Sequence, residues 1–157
     1  MADLGKLRQE YAASSLNRDS LAATPIDQFR SWFEQTVEAE LHEPNAMTLS
    51  TVSPEGQPWN RTVLLKAFDE KGFVFFTNYN SRKAQHIAAN PKVSLLLPWI
   101  LLQRQVIIIG EAEKISSAES LKYFASRPYG SQVGAWVSQQ SSVVSSRSVL
   151  AAKFQEI

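Results

Sequence analysis

The sequence predicts a mainly β, α+β domain in which about six short antiparallel strands close into a small barrel with helices outside the strand series. Three observations carry this prediction. A chain of 157 residues with 44% hydrophobic content is long enough for one packed core. From Ala46 onward, β-branched and aromatic runs alternate with turn chemistry. Helical segments with their own start and stop signals lie on either side of those runs, and closure of the strands into a barrel would remove exposed sheet edges.

The first element is the helix of "TPIDQFRSWFEQTVEAEL". Thr24 caps it, Pro25 suits the first helical position, and Asp27 answers as the acid of a capping box. Ile26, Phe29, Phe33 and Val37 mark its expected buried face. Next, "AMTLSTV", "RTVLLKAF" and "FVFFT" are separated by the turn sequences "SPEGQ" and "DEKG", which predicts an antiparallel meander. A short helix, "SRKAQHIAANP", stops at Pro91. Three further strand-like runs follow, "KVSLLLPWI", "RQVIIIG" and "EAEKI". Ser116 and Glu119 then form a capping box for "SAESLKYFASR", which Pro128 ends, and a shorter segment lies around "SQVGAWV". The serine-rich "SQQSSVVSSRS" reads as a loop, and "SVLAAKFQEI" has helical composition without a stop signal.

Composition excludes several functions. Sixteen Lys and Arg against fifteen Asp and Glu leave a formal charge of +1, so there is no global electrostatic footprint for nucleic acid or an anionic membrane, and any basic site must be local. No cysteine is present, which rules out disulfides, thiolate metal sites and thiol nucleophiles and suits a reducing compartment. The N-terminal stretch lacks the apolar core of a signal peptide, and no apolar run approaches the roughly 20 residues of a membrane span. A soluble, cytoplasmic protein is expected. His42 and His86 have no second histidine at ligand spacing, which argues against zinc. Neither has an evident triad partner in the sequence, and no glycine-rich phosphate loop occurs.

Local basic sites do exist. Arg82 and Lys83 follow Asn80 and Ser81, both good N-caps, so backbone N–H groups and two cations could converge on a phosphate; an exposed basic turn is the alternative. Cations in a first helical turn oppose the macrodipole, which calls for an anion nearby. Arg61 and Lys66 end the strand "RTVLLK". Five residues apart, they point to opposite faces of a regular strand, so one shared ligand would require a bulge or a ligand wrapping the strand end, and periodicity argues for two roles; edge-strand charges that discourage aggregation are the alternative. Tyr123 and Arg127, four apart on one helical face, together with Ser131, make a second oxyanion cradle or a packing face. Gln105 is either an edge residue or a buried polar group in need of a partner.

Taken together, "RTVLLKAFDEKGFVFFTNYNSRKAQHI", "NPKVSLLLPW", "RQVIIIGEAEKIS" and "KYFASRPYGSQVGAWVSQQSS" closely resemble the pyridoxamine 5'-phosphate oxidase family, in order and from about Leu7 to the final residue. The resemblance implies one split β-barrel domain over residues 1–157 and a homodimer with FMN in clefts at the subunit interface. Arg61, Thr62, Val63, Leu64, Leu65, Lys66, Phe76, Thr77, Arg82, Lys83, Gln105, Gln140 and Ser141 match the family's FMN-binding positions. Lys66, Tyr123, Arg127 and Ser131 match positions that hold the phosphate of the vitamin substrate. Arg8, Gln9, Glu10 and Tyr11 match a segment that folds over the substrate, within an N-terminal lid of residues 1–20. The implied reaction is oxidation of C4' of pyridoxamine or pyridoxine 5'-phosphate by hydride transfer to the flavin, with O2 reoxidising the flavin and releasing H2O2.

Departures accompany the agreement. Phe76 replaces a common tyrosine, and Tyr129 stands where a second arginine is frequent. The family continues past the last residue of this sequence with a Trp and an Arg that touch FMN and an Arg-x-His pair that orients the substrate ring. That difference raises the alternative of a non-catalytic flavin or pyridoxal-phosphate binding module.

Overall fold

The computed structural model describes residues 16–128 and 131–132. After a 3-10 turn at Arg18–Ser20, helix α1 spans Pro25–Glu38. Thr24 caps it as the sequence predicts: its hydroxyl accepts from the Asp27 N–H at 3.1 Å and donates to the Asp27 carboxylate at 2.8 Å. The buried stripe is rotated from the expected one. Phe29 and Thr36 are buried, whereas Val37 is 54% exposed. At 100° per residue Thr36 returns to within about 20° of Phe29 while Val37 stands about 80° away, so the seventh residue, not the eighth, completes the face.

Five antiparallel strands follow: β1 Ala46–Val52, β2 Pro58–Asp69, β3 Gly72–Phe75, β4 Lys92–Trp99 and β5 Arg104–Glu111. The meander holds only through β3, because the sheet order is β3-β2-β1-β4-β5. Helix α2, Arg82–Ala89, carries the chain back so that β4 lies beside β1, which is the Greek-key arrangement. The expected sixth strand, "EAEKI", is not one: beyond Glu111 the chain is irregular up to helix α3, Ser117–Ser126. The cause is Pro91. Ala112 still donates to the Pro91 carbonyl at 2.8 Å, but Pro91 has no N–H to return and the ladder ends there.

One face of the sheet carries the core: Met47, Leu49, Leu65, Leu95, Leu97 and Trp99, closed by Phe29 of α1. Phe29 meets Phe68 and Phe73 edge to face at 4.8 and 4.9 Å, the preferred geometry for aromatic pairs. Phe68 reaches this core only because the β2–β3 register shifts between Leu65 and Ala67. Strict alternation from Leu65 would turn Phe68 to the opposite face; the extra residue of the bulge, at Lys66, resets the phase. Beyond the core, β1 ends in Val52 and α2 packs against it.

Candidate functional site

The core face continues past its apolar residues into a basic cluster. Arg61 pairs with Leu49 across β2 and β1, and that register places its side chain on the core side of the sheet. One terminal nitrogen, Nη1, donates to the Leu49 carbonyl at 3.0 Å and to the Thr51 hydroxyl at 2.7 Å. Arg82 and Lys83 come to the same place from the first turn of α2. Lys83 is only 8% exposed, and Arg82 lies with its guanidinium carbon 4.7 Å from the centre of the Trp59 ring, a cation–π contact.

The three cations feel one another. Burial, and after it the charge of Arg82, lowers the Arg61 pKa; burial, and after it the charge of Arg61, lowers that of Lys83. Both effects disfavour the charged forms, so this corner of the fold is held against its own electrostatics. The N-cap Ser81 is fully buried and its side chain makes no cap bond, meeting the Thr77 hydroxyl at 3.3 Å instead. The N-terminal end of the α2 dipole points into the same corner and adds to the positive field. An anion at this corner would relieve all of these costs at once.

Lys66 is delivered elsewhere. It sits exposed in the β2 bulge opposite the end of β3, about 16 Å along the strand from Arg61 at the usual rise. The bulge that one shared ligand would have required is present, yet the two side chains remain separated. Of the residues between them, Leu65 is a core residue at 5% exposure, Val63 and Leu64 are half-buried and Thr62 is exposed.

A second group of predicted residues lies just past the end of β3. Phe76 and Thr77 follow β3 directly, and the Tyr123 ring of α3 stacks on Phe76 with centroids 3.6 Å apart and planes 7° from parallel. Of the two roles expected for Tyr123, the packing one is observed. Its capping box is complete: Ser116 accepts from the Glu119 N–H at 3.2 Å and the Glu119 carboxylate accepts from the Ser116 N–H at 3.1 Å. Arg127 does not share a helical face with Tyr123 as predicted. It is the C-cap, extended at φ −76° and ψ 149°, because the following Pro128 excludes the helical conformation. Ser131 follows one turn later, its N–H bonded to the Pro128 carbonyl at 2.8 Å.

Gln105 is an exposed residue of β5, the edge strand. Its neighbours Val106 and Ile108 pack on the core, so Gln105 faces the other way, and three strand spacings, about 14 Å, separate β5 from Arg61 on β2. Gln105 also lines a cavity of about 420 Å³ beside α1, with Trp32, Gln35 and Arg104; none of the three clustered cations reaches it. Within one chain, Gln105 and Arg61 therefore lie on well-separated strands and opposite faces of the sheet. Arg8, Gln9, Glu10, Tyr11, Gln140 and Ser141 lie outside the described residues.

Sequence reasoning missed Thr51, His86 and Trp59. The Thr51 hydroxyl and His86 Nδ1 are 3.1 Å apart, and the Trp59 and His86 rings meet edge to face at 6.1 Å. The available signals were the alternation of Met47, Leu49 and Thr51 and the helical spacing of Lys83 and His86.

Fold and site define an antiparallel split-barrel sheet whose core face ends in a cluster of three cations. The chain belongs to the pyridoxamine 5'-phosphate oxidase family, whose model matches residues 33–157. It is 62% identical over 155 residues to the pyridoxine/pyridoxamine 5'-phosphate oxidase of Crocosphaera subtropica, across 99% of this chain and 72% of that protein. The protein of the same name from Pectobacterium atrosepticum is 53% identical over 156 residues, across 99% of this chain and 69% of that protein. Among solved structures, PhzG from Burkholderia lata, crystallised with tetrahydrophenazine-1-carboxylic acid, matches with a TM-score of 0.86 and 26% identity over 93% of this chain and 73% of that one. A pyridoxamine 5'-phosphate oxidase-related, FMN-binding protein from Nostoc punctiforme shares the fold, with a TM-score of 0.64 and 18% identity over 83% of this chain and 73% of that one.

Proposed function

We propose that the chain binds FMN and oxidises pyridoxamine or pyridoxine 5'-phosphate to pyridoxal 5'-phosphate, with O2 as the final acceptor and H2O2 as product, in vitamin B6 metabolism. The observation that carries this reading is the convergence of Arg61, Arg82 and Lys83 with the α2 N-terminus at the end of the core face. A phosphate dianion meets both the charge and the donor geometry, and membership of an oxidase family supplies the redox class. FMN, when bound, accepts the hydride from C4' and passes the electrons to oxygen.

The protein's own residues bind and orient. Arg61, Arg82 and Lys83 hold the flavin phosphate. Lys66, Tyr123, Arg127 and Ser131 form the cradle for the substrate phosphate, some 16 Å away along β2 by strand rise, and the Phe76–Tyr123 stack ties the two sites together. Orientation of this kind converts an encounter into a nearly unimolecular step. Arg8 to Tyr11, within the lid of residues 1–20, exclude water from the closed site. The separation of Gln105 from Arg61 within one chain favours a homodimer in which each flavin is contacted by both subunits, Gln140 and Ser141 adding further contacts. A single domain spans residues 1–157, no helix among the described residues is long and apolar enough to cross a membrane, and the absence of cysteine suits the cytoplasm.

The test is a visible spectrum of the purified chain after mixing with FMN and desalting, followed by anaerobic addition of pyridoxamine 5'-phosphate. Retained yellow colour that bleaches is the expected result. Colour that persists unbleached would refute the oxidase reading, and loss of colour on desalting would refute the cofactor assignment.

A further inference from the structure

Thr51 sits where the β1 stripe of Met47 and Leu49 would take an apolar residue, and it is 1% exposed. A buried hydroxyl costs about 1–3 kcal/mol unless it is hydrogen-bonded, so its partners explain its presence. Thr51 Oγ1 has one proton to give and two lone pairs. Arg61 Nη1 can only donate, and it occupies a lone pair at 2.7 Å. The remaining partner is His86 Nδ1 at 3.1 Å, on a ring only 6% exposed. With Thr51 itself shielded from water, the acceptor within reach of its hydroxyl proton is His86 Nδ1, which calls for the tautomer protonated on Nε2.

We propose that Thr51 and His86 are positioning residues of the anion cradle: His86 takes the Thr51 proton, turns the Thr51 lone pairs toward Arg61, and so fixes the guanidinium for the phosphate. Both hydrogens of Nη1 are committed, one to Thr51 and one to the Leu49 carbonyl. The Nε and Nη2 edge has no acceptor among the described residues and stays available as a two-pronged donor. Without the relay, Arg61 would keep a single backbone bond and could swing away from its neighbours Arg82 and Lys83, whose charges repel it.

This inference rests on the flavin-phosphate reading, and its test separates the two by comparing FMN with riboflavin, which lacks the phosphate. Dissociation constants for both would be measured by flavin fluorescence quenching on the wild-type chain, Thr51→Val, Thr51→Ser, His86→Leu and His86→Asn. The expected result is that Thr51→Val, nearly isosteric, weakens FMN about tenfold and leaves riboflavin unchanged. Thr51→Ser restores FMN affinity. His86→Leu reproduces the loss, while His86→Asn, whose amide oxygen can occupy the Nδ1 position, retains the preference. FMN affinity unchanged in Thr51→Val, or an equal loss of FMN and riboflavin, would overturn the positioning role. A wild-type chain with no preference for FMN over riboflavin would overturn the phosphate site itself.

Discussion

Lys83 shows how a side chain can cost the free protein stability and still serve the site. The residue is 8% exposed, and burial, followed by the Arg61 charge, holds its pKa below the ordinary 10.5. The folded state thus binds this proton less tightly than the unfolded chain. The cost is fully present while Lys83 is protonated in both states, and it is relieved as the pH rises through the lowered value toward 10.5. Lys83→Met removes the charge and keeps the stem. FMN affinity should fall 10- to 100-fold, the range expected for one charge-assisted contact, while the melting temperature of the flavin-free protein holds or rises. A melting temperature that falls in step with affinity would make Lys83 structural. Arg127→Ala should behave differently, raising KM for pyridoxamine 5'-phosphate with FMN affinity unchanged, as steady-state kinetics and flavin titration would show. Equal losses of FMN in both variants would contradict two separate phosphate sites. The cations were legible in the sequence because charges at a helix start violate a local rule. Thr51 and His86 were not, because 35 residues separate them and neither breaks a local rule.

Elements were legible where their signals are local. Both N-caps form as read, although only Ser116 and Glu119 complete the reciprocal capping box while Asp27 accepts from the Thr24 hydroxyl instead of its N–H, and their chemistry makes two predictions. Thr24→Ala should cost about 1 kcal/mol, lowering the melting temperature by about 2–4 °C for a domain of this size, measurable by calorimetry. On α3, hydrogen bonds from the Ser116 side chain and then its backbone hold the Glu119 carboxyl below its ordinary 4.5. A depressed carboxylate contributes stability above that ordinary value and loses it as the pH falls through the lowered one. Wild type and Glu119→Gln should therefore differ in melting temperature at neutral pH and converge in acid; a difference that persists in acid would deny the charge a role. What stayed illegible depends on partners. The β2 bulge exists because Leu65 and Phe68 must both reach one core, and β5 stops because Pro91 faces it across the sheet. Neither cause lies within the segment it shapes. The return of β4 to the side of β1 is likewise a choice of sheet edge that the α2 sequence does not encode.

At the scale of the whole molecule, the far edge of the sheet presents an apolar surface to water. Ile107 and Ile109 of β5 are 58% and 83% exposed, and Ile100 and Leu101 just before it are 76% and 82% exposed. Exposed edge strands are ordinarily protected by charge or cover, and contiguous apolar surface marks an interaction site. Gln105, Ile107 and Ile109 alternate along β5 and so share one face. A second copy covering the isoleucines would thereby bring Gln105 against material from the other subunit. In the proposed homodimer, dimerisation through this face and flavin binding would be one equilibrium. Ile109→Glu places a charge on that face without touching the core. Analytical ultracentrifugation should find it monomeric at concentrations where the wild type is dimeric, and flavin titration should find FMN weakened, although the residue lies on the opposite face from the cation cluster. Dilution of the wild type below its dimer dissociation constant should release flavin in the same proportion. A monomeric Ile109→Glu that held FMN at wild-type affinity would uncouple the two, leaving Arg61, Arg82 and Lys83 sufficient within one chain; an undiminished dimer would move the interface away from β5.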